Sequence, residues 1–429
     1  MGQWSLAAKG SLWALLVLAC GGEAQHGSRA HGHTDSPATS DGGAAPSTPK
    51  PEPAGGAGGG QPPAAGGSAQ TEQAGAAPEG GEAGGAGGAG DAGGAANAGA
   101  GGDAAGMAGQ PPVDSCDPIV FDDAELERTV RAVLQRPTGP LRPDDVAGFS
   151  DLTTESVTSL KGVECLTDLT SLDVGSLPPG SITDLGPLAA LTKLETLSLA
   201  RNPLASLEPL GQLPKLQTLY LFKVPVTLDL TPLAGAPALV YLDLEGDTLQ
   251  SLAPLGSVPT LREMIVRSGT VIEPASIGAV TSLQSLDATG VFADAAPLAS
   301  LTELQKLRIG HSGLAHFSAL SSLTKLKYLD ASRSDVTDIA AVASMTKLVN
   351  LNLNGNQISD VSPLAALPDL NIVVLVDNQI SNVAPLAGNL GLGGGDFVYL
   401  GKNPFNCATE ATSLQALEGR GADVISDCP

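Results

Sequence analysis

The stretch LNLNGNQISDVSPLAA, Leu351 to Ala366, is too regular for a loop and too rich in asparagine and glycine for a helix. Leu351 and Leu353 alternate with Asn350, Asn352 and Asn354 at the two-residue period of a strand, which puts leucines on one side and amides on the other. Asn356 follows three residues after the pair, where an inward-turned amide can bond backbone groups left open by a bend. Ile358, Val361 and Leu364 then recur every three residues, the spacing of a tight 3₁₀-like return path. Pro363 stands just before an inward Leu, where a fixed φ is suitable and an N–H can be spared.

The same phrase recurs along the chain. Units begin at Leu166, Leu191, Leu213, Ala236, Val258, Val280, Leu301, Leu323, Met345 and Leu367, a period close to 22 residues. Their shared pattern is L-x-x-L-x-x-L-x-L-x-x-N-x-I-x-x-V-x-P-L, and self-similarity at a fixed period predicts a solenoid. One unit has too few apolar side chains to offset its own conformational entropy, so stability has to come from stacking. Each coil covers its neighbour's open face and adds one short strand to a shared sheet.

This pattern resembles the leucine-rich-repeat family, and specifically the 22-residue class found in bacterial internalins, over Leu166 to Gly388. The resemblance implies an α/β solenoid: a right-handed leucine-rich-repeat arc with a parallel concave β-sheet. It also implies engagement of other proteins, often on host cells. The ladder asparagine is present at Asn202, Asn356, Asn378 and Asn403 but is replaced by Asp247, Ser312, Ser334 and Gly269. Pro274 takes a core position, the unit from Val280 is short, and those from Leu166 and Leu213 are long. Local irregularity is expected at these four units.

A solenoid exposes apolar faces at both ends and so requires caps. Before the repeats, DDAELERTVRAVLQRP has Asp122 and Glu125 at capping-box spacing, with Leu126, Val130, Val133 and Leu134 on one face and Pro137 as a stop. This reads as a cap helix, after which VTSLKGVEC follows the second half of a repeat. Beyond the repeats, FVYLGKNPFNC supplies a last strand, and a short helix around Leu414 and Leu417 closes the fold. Cys116, Cys165, Cys407 and Cys428 all lie in these caps, and three pairings are formally open. Cys116 with Cys165 and Cys407 with Cys428 are favoured, because caps at opposite ends cannot reach each other. A zinc site, the rival reading, lacks a C-x-x-C and a nearby histidine pair.

The first twenty residues carry Lys9, an apolar run from Leu12 to Ala19, and then Cys20. The run is shorter than the roughly 20 residues that cross a bilayer, so the segment reads as a cleaved secretory signal. Its end, VLAC, resembles the lipobox of bacterial lipoproteins, which implies lipidation of Cys20. Gly21 stands where such proteins carry an inner-membrane retention Asp, so the resemblance implies the outer membrane. Residues 21–113 are nearly all Gly, Ala, Pro, Ser and Thr, and read as a disordered linker. A flexible coil of that length reaches about 50–60 Å. The domain order expected is thus signal 1–20, linker 21–113, N-terminal cap 114–165, repeats 166–388 and C-terminal cap 389–429.

A formal charge of −23 disfavours nucleic acid as a partner, since that attraction needs Lys and Arg to displace counterions. Chemistry leaves little trace. GHSGL from Gly310 lacks the second glycine of a nucleophile elbow, and its Ser312 is a turn residue. His26, His31 and His33 fall in polar filler, while His311 and His316 share no ligand geometry. No catalytic residue, metal or cofactor is assigned.

What remains is surface. The outward residues of the strands form three columns on the concave sheet. They carry Tyr220, Phe222, Tyr241, Asp243, Glu245, Ile265, Arg267, Asp287, Arg308, Tyr328 and Asp330 as candidate partner-binding residues. Only 3% of the chain is aromatic, and Tyr and Arg are the types enriched at binding hot spots. The expectation is a lipid-anchored, non-enzymatic surface protein that binds a protein or glycan partner. An envelope scaffold and a hydrolase hidden in the coils from Val258 to Ser300 are the alternatives.

Overall fold

The computed structural model describes residues 116–175, 180–314 and 316–429; the signal with Cys20 and the whole linker 21–113 with its histidines lie outside them. All described residues belong to one compact unit, Ala98–Pro429.

The chain winds as a right-handed solenoid whose coils each contribute one three-residue strand. The first strands are β1 (Asp151–Thr153), β2 (Ser171–Asp173), β3 (Thr196–Ser198), β4 (Thr218–Tyr220), β5 (Thr227–Leu228), β6 (Tyr241–Asp243) and β7 (Thr248–Ser251). They are followed by β8 (Glu263–Ile265), β9 (Thr270–Glu273), β10 (Ser285–Asp287), β11 (Lys306–Arg308) and β12 (Tyr328–Asp330). The last are β13 (Asn350–Asn352), β14 (Ile372–Val374), β15 (Phe397–Tyr399) and β16 (Asp423–Ile425). Thirteen of these strands, all but β5, β7 and β9, form one parallel sheet in sequence order. Pairing is residue for residue throughout, so Leu197, Leu219, Leu242, Met264, Leu286, Leu307, Leu329, Leu351 and Val373 form one buried row.

The return paths are 3₁₀ helices, among them Glu208–Gln212, Thr231–Gly235, Ala253–Ser257 and Ala296–Ser300, each with Pro in its first turn. Most are preceded by an Asp, Asn or Ser whose side chain accepts from the N–H two residues on, as Asp294 does from Ala296 and Asp360 from Ser362 (both 2.8 Å). This supplies the turn chemistry that the S-D-V-S-P phrase encodes.

Stacking on this side leaves no room for side chains at certain positions. A Cβ at Gly211 would lie 2.1 Å from the Pro232 carbonyl oxygen of the next coil, a backbone atom that cannot yield without opening the stack. Gly211→Ala is expected to destabilise the fold by about 2–3 kcal/mol, read as a lower denaturant midpoint. Gly388→Ala, with nothing within 4 Å of its Cβ, is the matched control and should be neutral. Equal midpoints for the two variants would contradict the stacking described.

The ladder asparagines do what their position requires. Asn356 accepts from the N–H groups of Ser334 and Val336 (both 3.0 Å) and donates to the carbonyls of Ala331 (2.9 Å) and Leu353 (2.8 Å). The ladder is interrupted in the middle, at Val224, Asp247, Gly269, Val291, Ser312 and Ser334. Two devices stand in these coils. In those from Leu213 to Ser257 and at Thr270–Glu273, β5, β7 and β9 pair into a second parallel sheet. In those from Val280 to Ser344, a serine ends each 3₁₀ turn and donates to a carbonyl of the preceding coil. Ser300 reaches Gly278 (2.8 Å), Ser322 reaches Ala299 (2.7 Å) and Ser344 reaches Ser321 (2.7 Å).

The corner before each ladder position takes the left-handed conformation, and most residues there are not glycine. Arg201, Lys223, Ser268, His311, Arg333, Asp377 and Lys402 have φ between 52° and 64°. Such a conformation costs roughly 1–2 kcal/mol each, and neighbouring coils hold it through bonds such as Arg333 N–H to the Asn354 carbonyl (2.7 Å).

Several expectations are corrected in detail. The main sheet is undisturbed at the coils from Val258 and Val280, where bulging was expected. Pro274 is exposed at the start of a six-residue 3₁₀ turn, with Val271 and Ile277 buried on either side of it in sequence. The short coil carries the fully buried Phe292 together with the small core residues Ala288 and Ala295. The long coil from Leu166 has part of its insertion outside the described residues.

The N-terminal cap helix α1 spans Ala124–Leu134, and its cap is Asp123, not Asp122. Asp123 accepts from Glu125 and Leu126 (both 2.9 Å), while Asp122 lies 3.4 Å from Lys161. Leu126 and Val130 are buried, but Val133, on the same face at i+7 from Leu126, is exposed in the last turn of the helix. A further coil, with β1 as its strand, sits inside this cap. The short helix α2 (Ala384–Gly388) precedes the C-terminal cap, whose helix α3 spans Cys407–Glu418 and is followed by β16. Arg420 donates to the carbonyls of Leu392, Ala387 and Asn389 at 2.9–3.1 Å, satisfying acceptors at the open end of the last coils. Disulfides join Cys116 to Cys165 and Cys407 to Cys428, one in each cap.

Candidate interaction surface

Because the L-x-L pair points into the core, the residues around it stand in columns on the concave face. Tyr220 and Tyr241 meet there, with ring centroids 5.3 Å apart and planes at 52°. Burial pushes both phenols above their ordinary range, and the Asp243 carboxylate adds to the shift. Phe222 is half-buried on the third column, and among the described residues it makes no ring pair. Ile265 lies half-buried between Asp243 and Asp287 on the second column.

Charged residues form a connected row beside the tyrosines. Arg267 donates through Nε (3.0 Å) and Nη2 (2.7 Å) to Glu245 Oε2. The guanidinium groups of Arg267 and Arg308 each lie 3.7 Å from Asp287 Oδ2. Arg308 in turn sits 5.3 Å over the Tyr328 ring, with Lys306 Nζ 5.9 Å from the same centroid. Partial desolvation of its ammonium, then the neighbouring Arg308, pushes Lys306 below its ordinary range, although the residue as a whole is exposed.

The acids of the second column have a structural share that sequence did not reveal. Asp243 Oδ1 accepts from Glu245 N–H (3.0 Å), Asp287 Oδ1 from the Thr289 hydroxyl (2.8 Å), and Asp330 Oδ1 from the Ser332 hydroxyl (2.7 Å). Asp173 does the same for Gly175 (3.0 Å) and Asn352 for Asn354 (3.2 Å). These are Asx turns that close the strand ends. Asp243 and Asp287 are only 9% exposed, and of the two Asp287 is the one that faces both Arg267 and Arg308.

Further surface residues went unread. Phe397 and Tyr399 of β15 stack with centroids 6.4 Å apart, next to Ile372 and Val374 of β14 and to Ile425 of β16, 44% exposed. The alternation in FVY was the available signal, since it continues the same columns past the last repeat. For β16 the only sign was three residues after a helix.

Comparison with known proteins agrees with this geometry. The family described as "Leucine Rich repeats (2 copies)" matches residues 324–366 and 346–388. An internalin of Listeria monocytogenes, InlF, is 28% identical with a TM-score of 0.58, covering 73% of this chain and 97% of its own. Internalin C2 of the same organism is 27% identical (TM-score 0.32), covering 64% of this chain and 93% of its own. A leucine-rich-repeat protein of Leptospira interrogans is 19% identical (TM-score 0.47), covering 64% and 88%. No curated protein sequence matches. The fold is a leucine-rich-repeat solenoid. Within that class the chain is internalin-like, and no catalytic family is indicated.

Among the described residues no helix is long and apolar enough to cross a membrane, and no group of three His, Cys, Asp or Glu side chains could hold a metal ion. Ser312 donates to the Gly310 carbonyl (3.1 Å), and His316 Nδ1 lies 2.9 Å from Asp294 on the return side of the coil.

Proposed function

We propose that this chain is a surface-anchored, non-enzymatic binding protein that captures a protein partner on its concave face. The observation that carries the reading is the continuous trough in which the Tyr220–Tyr241 pair adjoins the Arg267–Asp287–Arg308–Tyr328 row. Tyr and Arg in a pre-formed, partly desolvated surface are the residue types that dominate interface energetics. A rigid solenoid binds without ordering itself, which lowers the cost of association. The similarity to an internalin and the signal-like N-terminus support an exported location. Lipid at Cys20 would hold the protein on the outer membrane, with residues 21–113 as its tether.

Proximity labelling from the full-length protein on intact cells tests this. Tyr241→Ala with Arg308→Glu should remove the labelled partner while circular dichroism stays unchanged. Cys20→Ser should instead release the folded protein from membranes. A labelled set indifferent to the concave substitutions but lost with Cys20 would favour an envelope scaffold.

A further inference from the structure

The C-terminal half of the trough changes chemistry along its length. At β11, Lys306 has no carboxylate within ion-pair distance among the described residues. Arg308 has only Asp287, at 3.7 Å, and that carboxylate is shared with Arg267 and held by Thr289. The Nε of Arg308 is buried without a partner. Two cations thus lean on the Tyr328 ring with one shared carboxylate, Asp287, within ion-pair distance, Asp330 being the next acid across the sheet, on a chain whose formal charge is −23. At β13 the outward residues are amides, and Asn350 Oδ1 is buried without a partner. At β14 and β15 they are Ile372, Val374, Phe397 and Tyr399.

Neighbouring strands are spaced about 4.8 Å apart, so β11 and β15, four steps apart, are separated by about 19 Å. An extended peptide covers this in about six residues at roughly 3.3 Å each. Resting on the concave-face reading, we propose that the partner lays an extended segment across these strands, with an Asp or Glu at one end and an aromatic or large aliphatic residue about six positions away. The carboxylate sits between Lys306 and Arg308 beside Tyr328. The apolar side chain lies on Phe397 and Tyr399, and the intervening backbone meets Asn350 and Asn352. A single carboxylate fits better than a polyanion, because the acidic molecule repels extended negative charge everywhere else.

The test uses the full chain and fluorescein-labelled peptides with Glu and Phe-Leu joined by Gly/Ser spacers of two, five or nine residues, read by fluorescence anisotropy at low salt. The five-residue spacer should bind tightest, and Glu→Gln in that peptide should weaken it about tenfold, the scale of one charge-assisted contact. Lys306→Ala, at an exposed position, and Arg308→Ala should impose the same loss on the Glu peptide and little on the Gln peptide. Phe397→Ala should weaken both. If Glu and Gln peptides bind alike while Phe397→Ala still weakens them, the proposed polarity is overturned and the concave reading stands. If no concave substitution alters any peptide, both are overturned.

Discussion

Asn356→Ala is expected to lower the stability of the solenoid by about 3–5 kcal/mol, since each buried polar group left unpaired costs about 1–3 kcal/mol. Three backbone groups lose their partner at once, the N–H of Ser334 and Val336 and the carbonyl of Ala331, while the Leu353 carbonyl keeps its bond from Asn378 (3.0 Å). All three belong to the preceding coil. The lesion is therefore in the seam between coils, and side-chain volume is a minor part of it. Denaturant midpoints would measure the loss, and amide exchange at Ser334 and Val336 should accelerate ahead of the terminal coils. Slow exchange there in the variant would show that the ladder is not what holds the seam.

Asp247→Asn should do the opposite, by a margin that grows with pH. Asp247 occupies a ladder position, fully buried, and its Oδ1 accepts from Val224 N–H at 2.7 Å. Its Oδ2 has no partner, where the asparagines at this position carry a donating amide. Burial pushes the carboxyl from 3.8 up to about 7, with the nearby Asp243 adding to the shift. The folded state therefore holds a proton that the unfolded chain has already lost between about pH 4 and pH 7. The stability tied to that proton is complete below pH 4 and is lost as the pH rises through 7. At one pH unit per 1.36 kcal/mol, the deficit above pH 7 is about 4 kcal/mol. Asparagine carries no charge, keeps the acceptor and supplies the missing donor to the Leu244 carbonyl. Its advantage should be small at pH 4.5 and reach a few kcal/mol at pH 8, measured as paired denaturant midpoints. A gain independent of pH would mean that the carboxyl is not the source.

Much of this architecture could be read from the chain alone. The L-x-L alternation and the asparagine three residues later located the strands, the return turns and the facing columns, because each depends on residues within one coil. What escaped depends on the coil next door. The left-handed corners at Arg333 and Lys402 are imposed by neighbours on residues that do not favour them. The serine contacts at Ser300, Ser322 and Ser344 become visible only once coils are superimposed. The second sheet forms where the ladder amide is missing, in segments that the repeat pattern assigns to the return path. The cap at Asp123 was missed by one position because two aspartates adjoin. At the surface, Tyr220 and Tyr241 could be placed together from register. The turn-closing role of Asp243, Asp287 and Asp330 could not, since it depends on side-chain direction.

The unshifted pairing of the thirteen strands has a consequence for how such a molecule changes over generations. Gain or loss of a whole turn of the spiral preserves every remaining neighbour relation and alters the span by a single step of about 4.8 Å. Copy number then acts as a ruler, letting the grip be fitted to a longer or shorter target without redesigning either end.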